Sequence, residues 1–497
     1  MSASRVALPL LLLALGGACA PAPEGPPDLL LVSVDGLRAD RVWPLRPADR
    51  PSPTPNIDRL AQSGLVVLDH QAGGNESLFS HAVMLTGQPV SALAAPDYTS
   101  FTLPPAAMTL AEVLALYGYT AGAFVAGGHV KGAYGFDQGF GVYSDAADFG
   151  SLFHTLPAAL DWLAAGPPGP RFTFLHGYDA HRPYLHTGPV YHALGADYAG
   201  PVDGWTERAD TERIVNGAHH PAFVPDHIAH AEGEQLLDPG SYARLRAHAA
   251  GCAGHPLSPE DVRHLADHYD SGALSADLQV GRLVAALQAS GRWARTLLVI
   301  TSDHGEDLGE HGLYNHRSAL ADSTTRVPLI FAGGALDAGL RGRSLAGVSG
   351  AIDLVPTILG AAGAAPPAEL RGLDLLAAAE AGPSLPLERV VVQEGVLPMI
   401  AAVSGTHRLV MWGVPLDSPL LPLALEAAPA AGPWLRLSDR RTDPGDQLNV
   451  AEADPAALEA LRGALLLWME ERRPSEARGT QPQDPALQAI LRARGYW

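Results

Sequence analysis

Thr296-Leu297-Leu298-Val299-Ile300-Thr301-Ser302-Asp303-His304-Gly305 is the stretch that sets the fold. Its first half is an apolar, β-branched run of the length of a buried strand. Its second half puts a carboxylate and an imidazole side by side where that strand ends. In open α/β sheets, ligands bind at the carboxyl ends of strands. Adjacent Asp and His are also the O and N donors that a divalent cation takes. A second run of the same kind, Asp28-Leu29-Leu30-Leu31-Val32-Ser33-Val34, ends at Asp35-Gly36-Leu37-Arg38. That ending reads equally as an Asp-Gly turn or as a ligand site. Arg171 to His176 is a third strand, leading to Asp179 and His181, and Thr120 to Val125 is a fourth. Ala107 to Leu116 and Glu260 to Ser290 carry helical patterns between them. Strands alternating with helices predict an α/β domain with a mostly parallel central sheet flanked by helices.

Gly73-Gly74-Asn75-Glu76-Ser77-Leu78-Phe79-Ser80-His81 opens a further element. The glycine pair allows a close backbone approach. From Ser77 the apolar spacing suits a short helix closed by Gly87. A hydroxyl at a helix N-terminus meets free N–H groups and the positive dipole end, which suits an anionic substrate. Ser77 can equally be an ordinary N-cap, and position alone does not separate the two.

The 33 basic and 53 acidic residues give a net charge of −20. That disfavours nucleic acid, or an anionic membrane surface, as a partner held by general electrostatics. An anionic substrate stays open, because a bound cation can dominate its local field. Two cysteines, Cys19 and Cys252, make no disulfide framework. Met1 to Cys19 has a basic start, an apolar stretch too short to span a bilayer, and small residues before Cys19. The expectation is export to the cell envelope, periplasm or outer membrane. The residues before Cys19 resemble a bacterial lipobox, which would leave a lipid anchor on Cys19; ordinary cleavage after Ala20 is the alternative. Pro21 to Pro27 reads as an extended tether.

Several landmarks in order resemble the sulfatase branch of the alkaline phosphatase superfamily, from Asp28 to about Gly363. They are Pro55-Asn56-Ile57-Asp58-Arg59-Leu60, Leu85-Thr86-Gly87, His181-Arg182-Pro183-Tyr184, Asp303-His304-Gly305 with Gly309-Glu310-His311-Gly312, and Arg326-Val327-Pro328. Asp353-Leu354-Val355-Pro356-Thr357 and Asp443-Pro444-Gly445-Asp446 are similar to later family segments. The resemblance implies an alkaline-phosphatase-like α/β fold with a smaller C-terminal α+β subdomain. It also implies a metal-dependent hydrolase of sulfate or phosphate esters. One divalent cation (Ca²⁺, Mg²⁺ or Mn²⁺, with Zn²⁺ as the alternative) would be held by Asp35, Ser77, Asp303 and His304. His81, His181 and His316 match positions that meet the substrate oxyanion or leaving group. Arg38 would bind an oxyanion or brace the Asp35 loop. Asp179 with His181 is a candidate second site. The implied organisation is a lipoprotein-type signal peptide over 1–19, a tether over 20–27, a catalytic domain over 28–363, a C-terminal subdomain over 364–473 and a polar tail over 474–497. Val390-Val391-Val392 and His407 to Met411 predict strands of that subdomain, and Ala456 to Glu471 a helix. Residues 186 to about 260 lack periodicity and predict an insertion that sets specificity.

Three departures from the sulfatase pattern bear on the chemistry. Enzymes that convert Cys or Ser to formylglycine read (Cys/Ser)-x-(Pro/Ala)-x-Arg, whereas Ser77 is followed by Phe79 and His81. Gly36 stands where many sulfatases carry a second metal Asp, and His316 where they carry a Lys. The pattern is closer to relatives with an unmodified hydroxyl nucleophile, and the expected substrate is a small-molecule, glycan or lipid ester. Two rival readings are a phospho-alcohol head-group transferase and an inactive member kept as a binding module.

Overall fold

The computed structural model describes residues 25–472 except 49, 94–100, 148, 167, 183–197, 199–257, 311–315, 318, 398, 414–420, 422–424, 426–429 and 431–434. The leader, the polar tail, His311 and most of the 186–260 insertion lie outside the described residues. Eight strands form the main sheet: β1 (Asp28–Val34), β2 (Leu65–Gln71), β3 (Thr120–Phe124), β4 (Val142–Ser144), β5 (Arg171–Gly177), β6 (Thr296–Thr301), β7 (Arg326–Ala332) and β8 (Arg343–Gly350). Their order across the sheet is β4-β3-β5-β1-β6-β7-β2-β8. Only β7 runs against its neighbours, β6 and β2, so the sheet is mostly parallel, as expected.

The central strands are buried throughout and mostly apolar because both faces are covered. Leu29 and Leu31 of β1 point into one core, with helices α2 (Ser77–Thr86) and α3 (Leu110–Leu116). Leu30, Val32 and Val34 point into the other, with α1 (Pro55–Ser63), α4 (Leu152–Ala165) and α5 (Pro259–Ala289). Alternate residues thus serve opposite layers, the period of two that any strand imposes. Helix α3 starts three residues later than its apolar spacing suggests. Thr109 caps it, accepting from Glu112 N at 3.2 Å while Glu112 accepts from Thr109 N at 2.9 Å.

A separate four-stranded antiparallel sheet follows: β9 (Val391–Glu394), β10 (Met399–Val403), β11 (His407–Trp412) and β12 (Leu435–Asp439), in the order β12-β11-β10-β9. A C-terminal helix, Pro455–Arg472, packs Leu458, Leu461 and Leu465 on its inner face. Leu375, Ala379 and Leu385, which follow residue 364, pack in the first core. Buried ion pairs lock the second sheet to the first. Arg408 meets Asp446 and Asp322, each at 2.6 Å, and Arg440 meets Asp69 at 2.7 Å and Asp322 at 3.0 Å. Asp322 opens the turn of helix that follows the Asp303 loop, so this clamp also fixes that loop. The glycine pair has its reason here. A Cβ on Gly74 would lie 2.3 Å from Glu394 O, where the end of β9 crosses over.

Candidate active site

Because β5, β1 and β6 are neighbours, their carboxyl ends bring together residues far apart in sequence. Asp35 follows β1, Asp303 and His304 follow β6, and His181 follows β5. Ser77 is the first residue of α2 and is buried. It is not the helix cap. Glu76 takes that place, its carboxylate accepting from Leu78 N at 2.9 Å. The Ser77 hydroxyl is left to face His304, with Oγ 3.3 Å from Nε2.

His304 Nε2 is 3.4 Å from Asp35 Oδ1 and 3.4 Å from Asp303 Oδ2. Both carboxylate oxygens are buried and have no hydrogen-bond partner. Burial, and then the charge of Asp303, push the Asp35 carboxyl well above the ordinary carboxylate range. Two anions crowded in a dry site, each with a lone pair unmatched, are what a divalent cation would relieve. The donor set of Asp35, Asp303, His304 and Ser77 fits such an ion.

Tautomers can be read from the hydrogen bonds. His304 Nδ1 is 2.8 Å from Gly305 O, so that nitrogen donates. His181 Nδ1 likewise donates to Arg182 O, and His316 Nδ1 lies 3.4 Å from Glu306 Oε1. The Nε2 atoms of His304 and His181 therefore turn a lone pair inward. His181 Nε2 is 3.9 Å from Asp35 Oδ1, and His316 Nε2 is buried without a partner. The His304 and His316 rings stack at 4.2 Å, and His181 and His316 lie 4.8 Å apart. Burial pushes His181 down to about 3 and His316 well below the ordinary imidazole value.

Of the two roles expected for Arg38, its contacts fit the brace. Arg38 bonds Asp40 with Nε (3.0 Å) and Nη2 (2.7 Å), and Glu306 O (2.9 Å) and Glu310 (2.6 Å) with Nη1. With every arm engaged it braces the loop. His81 lies deeper. It is fully buried, with Nδ1 2.8 Å from Ser77 O and 3.5 Å from Asp303, and Nε2 3.1 Å from Ser33 Oγ. Its ring lies beneath the carboxylates and supports them. Asp179 turns away from the site to accept from Leu152 N at 2.7 Å and Ser275 Oγ at 3.1 Å. Gly36 has φ +77°, and a Cβ there would sit 3.0 Å from Ala180 O, so a second metal Asp at this position would be strained. Tyr269 of α5 pins that turn, donating to Gly36 O at 2.7 Å and accepting from Arg38 N at 2.8 Å.

The sequence reading passed over His176, the penultimate residue of β5, which meets Asp35 Oδ2 at 3.2 Å. Its one signal was an imidazole near the end of a strand that leads to Asp179 and His181. Glu306, in contact with His316, was missed as well; burial pushes its carboxyl up to about 8.

A sulfatase family model matches residues 27–364. The chain belongs to the sulfatase family. It is accordingly a sulfatase-family hydrolase. It is 27% identical over 414 residues to the multifunctional alkaline phosphatase superfamily protein PehA of Trinickia caryophylli, covering 70% of this chain and 76% of that one. Arylsulfatase K of Xenopus laevis is 29% identical over 121 residues, covering 24% of this chain and 22% of that protein. Among solved structures, phosphonate monoester hydrolase of Agrobacterium radiobacter superposes with a TM-score of 0.62 at 19% identity, covering 89% of this chain and 95% of that one. The 2-O GAG sulfatase BT1596 does so with a TM-score of 0.65 at 20% identity, covering 93% and 96%. The structural likenesses establish the fold.

Proposed function

We propose that this chain hydrolyses sulfate, phosphate or phosphonate esters with unmodified Ser77 as the nucleophile. One observation carries the reading: the Ser77 hydroxyl sits at His304 beside two buried carboxylate oxygens that have no partner. Asp35, Asp303, His304 and Ser77 would hold one divalent cation, which when bound lowers the pKa of the Ser77 hydroxyl and offsets charge growing on the ester. Ser77 Oγ forms a bond to phosphorus or sulfur as the bond to the leaving oxygen breaks. The proton that Ser77 gives up balances the one the leaving oxygen takes, and His181 or His316 carries it. Both imidazoles are neutral, Nε2 of His181 faces the site, and an anionic ester beside them raises their affinity for that proton. Water then cleaves the Ser77 ester and restores the hydroxyl. A hydroxyl nucleophile fits the packing around it. Phe79 meets Phe101 edge-on at 5.5 Å, and His81 is enclosed, so the positions of the formylglycine motif serve the core instead.

The test is a panel of aryl sulfate, phosphomonoester, phosphodiester and phosphonate substrates, run with wild type and Ser77→Ala. At least one class should turn over and be lost in the variant. Peptide mass spectrometry should show plain serine at position 77. A formylglycine aldehyde there would restore the ordinary sulfatase chemistry. The inactive-member reading would stand if no class turned over.

The leader belongs to the same proposal. Export with Cys19 acylated would hold the protein at a membrane, although among the described residues no helix is long and apolar enough to cross one. Fractionation with a fatty-acid analogue should label wild type and not Cys19→Ser. Unlabelled wild-type protein would leave simple export.

A further inference from the structure

We propose that His176 is a positioning residue that fixes Asp35 as a one-oxygen metal ligand. The inference rests on the cation site proposed above. The His176 ring is fully buried at the end of β5, in register with Ser33 of β1. The Ala126 N–H points at its Nδ1 from 3.4 Å. A nitrogen that accepts from an amide holds its lone pair there, so the ring proton is on Nε2. Nε2–H then donates to Asp35 Oδ2 at 3.2 Å. Asp35 is left with one oxygen engaged and Oδ1 unmatched, and Oδ1 is the oxygen 3.4 Å from His304 Nε2. Fixing one oxygen sets the tilt of the carboxylate, so the other is aimed before any ion arrives.

His176 is not itself a ligand, although Asp35, His81 and His176 lie close enough to enclose an ion. Its Nε2 carries a proton. His81 Nδ1 donates to Ser77 O at 2.8 Å, and its Nε2 meets Ser33 Oγ at 3.1 Å. Neither ring offers a lone pair to the space between them. The side chain is packed as support should be, with Tyr178 edge-on at 4.7 Å and His81 edge-on at 4.9 Å.

Two near-isosteric variants separate the two ring nitrogens. The amide nitrogen of His176→Gln reaches the position of Nε2 and keeps a donor on Asp35. His176→Asn reaches only the position of Nδ1 and keeps the Ala126 contact alone. Each chelated full-length variant is titrated with Mn²⁺ by calorimetry, with the thermal midpoint in chelator recording that it folds. His176→Asn should weaken Mn²⁺ binding by about 10–100-fold. His176→Gln should recover most of that loss, and turnover should fall through kcat in proportion to metal loss while KM stays near wild type. Asp303→Asn is the control. If it loses Mn²⁺ while folded His176→Asn binds as wild type does, or if Gln rescues no better than Asn, the role assigned to His176 is wrong. If Asp303→Asn also binds Mn²⁺ normally, the cation site is misplaced and the inference falls with it.

Discussion

The floor and the rim of the site are both built from buried histidines, yet they are finished differently. On the floor, His81 and His176 have both ring nitrogens matched by protein groups. On the rim, protein groups meet Nδ1 of His181, His304 and His316, while Nε2 of His304 faces the Ser77 hydroxyl and the two carboxylates, Nε2 of His181 lies 3.9 Å from Asp35, and Nε2 of His316 is buried without a partner. Charge does not separate His81 and His176 from His181 and His316, because burial pushes all four below the ordinary imidazole value. What the second ring nitrogen meets does: structural support on the floor, and on the rim the nucleophile, the open carboxylates or no partner at all. A buried polar group whose bonds are satisfied holds structure together, and one left open marks where a ligand comes.

The comparison can be broken at several points. The largest effect is expected at the nucleophile between floor and rim: Ser77→Ala should lower kcat by on the order of 10⁴–10⁶ with an unchanged thermal midpoint. Next is Asp303→Asn, which removes one unit of ligand charge. It should lose the bound metal, with kcat down by at least ~10²–10³. Rim and floor should then part company. His181→Ala should cost ~10²–10⁴ with poor leaving groups and much less with activated aryl esters, leaving metal affinity intact. A floor variant such as His81→Gln should change metal affinity without steepening the dependence on leaving-group pKa. If His181→Ala instead lost the metal, the rim would be a ligand set and the division between the two would fail.

The smallest effect concerns Asp179, a carboxylate finished in the manner of the floor. Burial raises it to about 7 from its ordinary 3.8, while α4 and Ser275 bond it on both oxygens. The folded chain then holds a proton that the unfolded chain releases. The stability it contributes is full below about pH 4 and is lost as pH rises towards 7. Asp179→Asn should flatten that slope by on the order of 2–4 kcal/mol between those limits, read from urea unfolding at each pH.

The fold was legible where burial is two-sided. β1 and β6 announce themselves by the continuous apolar runs Leu29 to Val32 and Leu297 to Ile300, and their ends locate Asp35, Asp303 and His304 at once. The glycine at position 87 ends α2 in a left-handed turn, as its place after the apolar run suggested. What stayed hidden depends on partners distant in the chain. The role of Arg38 is decided by Glu306 and Glu310, and that of His176 by an amide on Ala126 and a carboxylate on β1. In a sequence, a lone histidine near the end of a strand is indistinguishable from a core residue. Strand β10 was missed because Met399-Ile400-Ala401-Ala402-Val403 is too short and too alanine-rich for its periodicity to choose between helix and strand.

The most direct test of the central reading is the metal content of the chelated, reloaded and desalted protein, measured by elemental mass spectrometry on wild type, Asp303→Asn and His316→Ala. One tightly held divalent ion per chain is expected in wild type and in His316→Ala, and none in Asp303→Asn. A wild-type chain that retains no ion, or an Asp303→Asn chain that keeps one, would contradict it.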